Sequence, residues 1–173
     1  NLLQWSKLNT KQTTLNLTDF ILDDIFDEAF SLYEIQAKKK EIHFINYLDK
    51  NTTVYCDKYM ISTIVRNLIS NAVKYSYVGG KIITKSELLE DFVEISIQDF
   101  GIGMTEKTQK NLFKIDNIQS IKGTASESGS GLGLLIIKEF LDLHNCKLEI
   151  FSELNKGTIV KFKLPLFKTM LKT

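Results

Sequence analysis

Apolar residues recur with helical spacing in three stretches of this chain and alternate with polar ones in the segments between them. In the first stretch Phe20, Ile21, Ile25, Phe26, Ala29, Phe30, Leu32 and Tyr33 follow one helical stripe, which ends on the basic run Lys38, Lys39, Lys40. Such a stripe predicts one long helix with a buried face. Thr18 followed by Asp19 reads as its N-cap and acidic first turn. A second helix is predicted over 57–76 with Asp57 as N-cap. A third is predicted over 132–143, ending at His144 and Asn145, where asparagine tolerates the left-handed position that closes a helix. Residues 13–17, 41–48 and 52–56 read as strands, 81–90 and 92–100 as a hairpin, and 146–153 and 158–166 as a final pair turned by Gly157. Helices alternating with mostly hairpin-connected strands predict an α+β fold. Its expected form is a two-layer α/β sandwich, a mixed and mainly antiparallel sheet covered on one face by three helices.

Composition narrows the picture without changing it. The 173 residues suit a single domain with a substantial core. With 22 basic against 21 acidic residues there is no electrostatic reason to expect a nucleic acid or an anionic membrane as partner. The longest apolar stretch, 132–143, is interrupted by Lys138, Glu139 and Asp142, far short of the roughly 20 residues that span a bilayer. Cys56 and Cys146 have no neighbours in metal-ligand spacing and read as buried free thiols of a reducing compartment. His43 falls in a predicted strand and reads as structural.

Candidate chemistry lies in two places. The stretch 99–133 opens with Asp-Phe-Gly-Ile-Gly (Asp99, Gly101, Gly103), runs through polar residues, and closes with Gly-Ser-Gly-Leu-Gly-Leu (Gly129, Gly131, Leu132, Gly133) at a helix start. Glycines let backbone approach a ligand closely, and free N–H groups at a helix start attract anions, so this arrangement suits a phosphorylated ligand. On the second helix Asn67, Asn71 and Lys74 share a narrow arc opposite Ile61, Ile64, Val65, Leu68, Ile69 and Ala72. An amide oxygen can complete the shell of a Mg²⁺ held mainly by phosphates and water, and a lysine one turn on can offset phosphate charge. The same residues would also serve simply to solvate the helix.

The stretch 67–76 closely resembles the asparagine box of sensor histidine kinases. The segments opening at Asp99 and Gly129 resemble that family's two glycine boxes, Phe113 its phenylalanine box, and 156–165 its closing strands. The resemblance runs over roughly 13–166, in order and spacing, and four ordered motifs are far more specific than one. It implies the ATP-binding catalytic domain shared by histidine kinases, type II topoisomerases, Hsp90 and MutL-like ATPases, with ATP and Mg²⁺ as cofactors. Asn71 would then coordinate Mg²⁺, Lys74 contact phosphate, and Tyr75 line the adenine or ribose. Asp99 would accept a hydrogen bond from the adenine amino group. Gly101 and Gly103 would let the chain pass beside the base, and Gly129, Gly131, Leu132 and Gly133 would wrap the phosphates as part of a lid over 104–130. Thr158 would bond near the adenine.

In hydrolysing relatives a glutamate stands four positions before the magnesium ligand; here Asn67 does, and an amide cannot act as a general base. Phosphoryl transfer to a histidine is therefore expected, since an imidazole already attacks well and the enzyme mainly positions and neutralises charge. The family's phosphoacceptor motif, a histidine-acid pair followed by proline, is missing from the sequence, whose one proline is Pro165. The expected reading is a catalytic half. Residues 1–12 are the remnant of a preceding dimerisation helix or linker, 13–167 the ATP-binding domain and 168–173 a tail. The piece is expected to be a cytoplasmic, monomeric part of a membrane-anchored sensor, without membrane contact of its own. Its partners would be its own phosphoacceptor domain and a response regulator receiver domain. The alternatives are a non-catalytic nucleotide-sensing module and an anti-sigma-type serine kinase.

Overall fold

Along Phe92–Asp99 every second residue, Val93, Ile95, Ile97 and Asp99, is buried, and the residues between them are not. Ile82 and Thr84 continue that buried face on the neighbouring strand, and Phe162 and Leu164 on the other side. A sheet with one apolar face must pack that face, and helices pack it here. The computed structural model describes residues 14–113, 123–125 and 132–167. Its elements are β1 (Leu17–Ile21), α1 (Leu22–Lys39), β2 (His43–Tyr47), β3 (Thr53–Asp57), α2 (Lys58–Tyr75), β4 (Lys81–Leu88), β5 (Phe92–Asp99), α3 (Glu106–Asn111), α4 (Gly133–Leu143), β6 (Leu148–Glu153) and β7 (Gly157–Pro165).

Five strands form the main sheet in the order β2-β4-β5-β7-β6. β2 runs parallel to β4 and the other pairs are antiparallel, so the sheet is mixed and mainly antiparallel, as the alternation predicted. β1 and β3 form a separate antiparallel pair, bridged to the main sheet's periphery through Val54 and Leu166. Leu22, Ile25, Phe26 and Ala29 of α1, Ile61, Ile64, Val65, Leu68 and Ile69 of α2, and Ile136, Ile137, Phe140 and Leu141 of α4 supply the helical side of one core.

Packing rather than propensity holds α2 together. Ile61, Ile64, Val65, Ile69 and Val73 are β-branched, and each costs about 0.5 kcal/mol of helix propensity relative to alanine. All five are buried, and full burial of such a side chain stabilises by about 2 kcal/mol, so burial wins. Asp57 caps the helix as expected, its carboxylate accepting from the Met60 N–H at 3.1 Å. At the end of α4 Asn145 takes a φ of 55° and Cys146 donates its N–H to the Leu141 carbonyl, closing the helix.

Some local readings differ from the structure. Thr18 is not the N-cap of α1. Thr18 and Asp19 pair with Cys56 and Tyr55 in the ladder, and the helix starts at Leu22, whose N–H is taken by the Thr52 carbonyl rather than a side chain. The first strand accordingly covers Leu17–Ile21 rather than 13–17, because its partner strand, distant in sequence, sets the register. The short helix α3 was not expected; Thr105 caps it, accepting from the Thr108 N–H at 3.2 Å. His43 is exposed at the start of β2. Residues 1–12 and 168–173 lie outside the described residues.

Candidate functional site

Three elements converge at the C-terminal end of α2. Asn67, Asn71 and Lys74 stand on its half-buried face, the side opposite the core stripe. The Asn67 amide is oriented by its own helix: Nδ2 donates to the Thr63 carbonyl one turn back at 2.8 Å. That turns Oδ1 towards the first residue of α4, where a Cβ built on Gly133 would lie 2.9 Å from it. The second glycine segment therefore meets the asparagine-bearing helix through Gly133, and the site needs glycine there because Asn67 occupies the space. The Asn71 side chain has no hydrogen-bond partner among the described residues. The Lys74 ammonium lies 4.8 Å from the centroid of the Tyr75 ring, a cation–π arrangement.

The second element is the end of β5. Asp99 is 8% exposed, and its Oδ1 accepts the Gly101 N–H at 2.9 Å. Burial pushes the Asp99 carboxyl up to about 6, against the opposing pull of the Gly101 and Thr158 N–H groups. A buried carboxylate with two backbone donors keeps further lone pairs for a ligand N–H. The chain then turns back on α2: Ile102 donates its N–H to the Tyr75 carbonyl at 3.1 Å. A side chain on Gly101 would be driven into that carbonyl, and one on Gly103, at a φ of 57°, into the Glu153 carbonyl. Backbone packing against the protein itself thus requires these two glycines.

The third element is the β6–β7 turn. Thr158 pairs with Asp99 across the ladder, and its hydroxyl lies 2.9 Å from Ser152 Oγ, which also donates to the Gly157 carbonyl. Asn67, Asn71, Lys74, Tyr75, Asp99, Gly101, Gly103, Thr158, Leu132 and Gly133 are all within the described residues, on these elements and at the start of α4. Gly129 and Gly131 lie outside them. Sequence reasoning missed Ser152, which looks like any strand serine, and missed Lys40 and Thr124. Lys40 reads as the solvated end of a basic run yet is 6% exposed, its ammonium bonded to α2 and to Thr124.

Among the described residues no helix is long and apolar enough to cross a membrane. A cleft lined by Asn16, Thr18, Asp57, Lys58 and Tyr59 lies at the other end of α2 from Asn71, so it is no part of this site.

Comparison with known proteins places the arrangement in a family. SenX3 of Mycobacterium tuberculosis, a sensor-like histidine kinase, is 29% identical over 168 residues, covering 95% of this chain and 40% of SenX3. The sensor histidine kinase WalK of Bacillus subtilis is 31% identical over 172 residues, covering 95% of this chain and 27% of WalK. The chain thus spans well under half the length of these relatives. The solved catalytic domain of histidine kinase ThkA superposes with a TM-score of 0.74 at 26% identity, covering 87% of this chain and 95% of that domain. ThkA in complex with the response regulator protein TrrA shares the fold, with a TM-score of 0.71 at 22% identity over 95% of this chain and 48% of that one. A sequence model of the family described as histidine kinase-, DNA gyrase B- and HSP90-like ATPases matches residues 56–168, from the end of β3 to beyond β7. The chain belongs to that ATPase family.

Proposed function

We propose that this chain carries the ATP-binding catalytic domain of a bacterial sensor histidine kinase. It binds ATP·Mg²⁺ and transfers the γ-phosphoryl group to a histidine on a separate dimerisation domain. The observation that carries this reading is the contact of Gly133 with Asn67, which brings the second glycine segment onto the α2 face bearing Asn71 and Lys74.

The donor set fits a magnesium ion held chiefly by phosphates and water. Asn71 offers a neutral, hard amide oxygen, half-buried and uncommitted among the described residues. When bound, the metal would neutralise phosphate charge. Lys74 adds positive charge one helical turn on, Asp99 accepts the adenine amino group, and Tyr75 lines the base or ribose. Gly101 and Gly103 hold the chain beside the base, and Thr158, held by Ser152, bonds near it. Gly129, Gly131, Leu132 and Gly133 surround the phosphates with backbone N–H groups. Asn67, on the ridge four positions before Asn71, cannot deprotonate water, which favours transfer over hydrolysis.

Residues 13–167 form the catalytic domain, with 1–12 and 168–173 as its flanks. It works on the cytoplasmic side of a membrane-anchored sensor, as a monomeric unit that meets its own phosphoacceptor domain. ThkA has been solved with a response regulator, and a receiver domain of that kind is the downstream partner proposed here. The test is label transfer from γ-labelled ATP to a separately produced dimerisation domain of the parent kinase. The wild-type chain should label that domain, and Asn71→Asp should lower the rate about a hundredfold or more by placing negative charge against the phosphates. Transfer that survived the substitution, or label appearing on this chain alone, would refute the reading.

A further inference from the structure

The peptide groups of Ile102 are held from both sides. Its N–H donates to the Tyr75 carbonyl at 3.1 Å, and its carbonyl accepts the Asn155 N–H at 2.8 Å. The first glycine segment therefore lies between the end of α2 and the β6–β7 turn, and the N–H next to Ile102, that of Gly101, is bonded to the Asp99 carboxylate. The two flanks also meet directly: the Tyr77 hydroxyl donates to Asn155 Oδ1 at 3.0 Å, 78 positions away. Both partners stand on tight turns. Tyr77 opens the turn 77–80, where the Gly80 N–H returns to its carbonyl at 3.1 Å and Gly79 takes a φ of 76°. Asn155 occupies the third place of the turn 153–156, closed by the Lys156 N–H on the Glu153 carbonyl at 3.0 Å, with a φ of 64°. Glycine would take that φ with less strain, whereas asparagine tolerates it and adds an acceptor. Because both backbones are already fixed, joining the two side chains orders little further chain.

We propose that Tyr77 and Asn155 are positioning residues of the adenine site. Their hydrogen bond braces the end of α2 against the β6–β7 turn across the first glycine segment, and so holds Ile102 and the Gly101–Asp99 contact in place for the base. The inference rests on the ATP reading above, in which Asp99 accepts the adenine amino group. Its geometric ground is a closed ring of contacts: Tyr75 to Ile102, Ile102 to Asn155, and Asn155 to Tyr77, two residues beyond Tyr75. The same turn bears on Asp99 directly, since a Cβ at Gly157 would lie 2.1 Å from the Asp99 carbonyl. Movement of the turn relative to α2 is therefore movement at the carboxylate. The ring includes neither Asn71 nor Lys74, the residues assigned to metal and phosphate, so its effect belongs to the base.

Calorimetric titration of the 173-residue chain with adenosine and, separately, with ATP·Mg²⁺ tests the brace. Tyr77→Phe removes only the hydroxyl, and Asn155→Gly removes the acceptor while suiting the left-handed backbone. Each should weaken adenosine about fivefold, the worth of one ordinary hydrogen bond, and ATP by the same factor, since both ligands carry the same base. Asn155→Asp keeps an acceptor and should keep wild-type affinity. The double variant Tyr77→Phe/Asn155→Gly should be no weaker than either single one. Adenosine affinity unchanged in Tyr77→Phe would overturn the brace, as would a loss confined to ATP, a loss that Asn155→Asp shares, or additive losses in the double variant. A merely structural bond would lower the urea midpoint and leave the affinity of the folded chain where it was, which would overturn it equally. A wild-type chain that bound neither ligand would instead sink the ATP reading, and this inference with it.

Discussion

The amide oxygen of Asn67 lies where a side chain on Gly133 would need to be, 2.9 Å from the position of its Cβ. Asn67 cannot simply swing aside, because its Nδ2 is bonded to the Thr63 carbonyl. Gly133→Ala should therefore cost about 1 kcal/mol of stability, the worth of one hydrogen bond given up. In an Asn67→Ala background the obstacle is gone and the same change should cost little. Chemical denaturation of the four proteins in this cycle gives the coupling directly, and additive effects would show that the two residues do not meet.

If Asp99 holds adenine as proposed, adenine binding should depend on pH. Its folded value, about 6, lies above its ordinary 3.8, so the folded state holds the proton more tightly than the unfolded chain does. The stability from this group is thus fully present below 3.8 and is lost as pH rises through about 6, leaving the ionised carboxylate to cost about 3 kcal/mol at neutral pH. A ligand N–H that binds the charged form offsets this cost. Adenosine affinity should rise about tenfold between pH 5 and pH 8, and Asp99→Asn should abolish the dependence. A flat profile in the wild type would remove Asp99 from the adenine contact.

His144 ties the end of α4 to the start of α2. Its Nε2 accepts the Asp57 N–H at 3.0 Å and its Nδ1 lies 2.7 Å from the Phe140 carbonyl, an arrangement that requires the proton on Nδ1. His144→Ala would leave the N–H of Asp57, a buried residue, without its partner. We expect a loss of about 1–2 kcal/mol in urea denaturation, and a change within error of zero would show that water replaces the ring.

The thiols of Cys56 and Cys146 should be inert in the folded protein. Burial pushes Cys56 up to about 12, with smaller contributions from Cys146 and Asp57, and Cys146 up to about 11. Thiolate is the reactive form, so a thiol-specific reagent at neutral pH should label neither residue in the native chain and both in urea. Rapid native labelling of either one would contradict the packing at the α4–β3 junction.

Much of the site was legible because its spacing is local. One helix carries Asn67, Asn71 and Lys74, and 3.6 residues per turn places them on one face whatever else the chain does. Asp57 as a cap and Asn145 as a left-handed residue were readable for the same reason, since each depends on a few neighbouring residues. Thr18 misled because its local signal was equally sound, but pairing with Cys56 across the β1–β3 ladder outweighed one cap. Gly101 and Gly103 were read as letting the chain pass beside a base, and the structure adds that a side chain at either position would strike the protein's own carbonyl of Tyr75 or Glu153.

The sequence by itself determined the periodicities, and hence an α+β layer arrangement, together with the order of motifs that marks this ATPase family. Tertiary structure alone decided which distant groups meet. Lys40 looked like the solvated end of a basic run, and only packing buries its ammonium against carbonyls of α2 and the Thr124 hydroxyl, 84 positions away. The physical reason is that helix and strand periods are set by backbone geometry within a few residues, whereas a long-range hydrogen bond forms only after burial has brought its partners together.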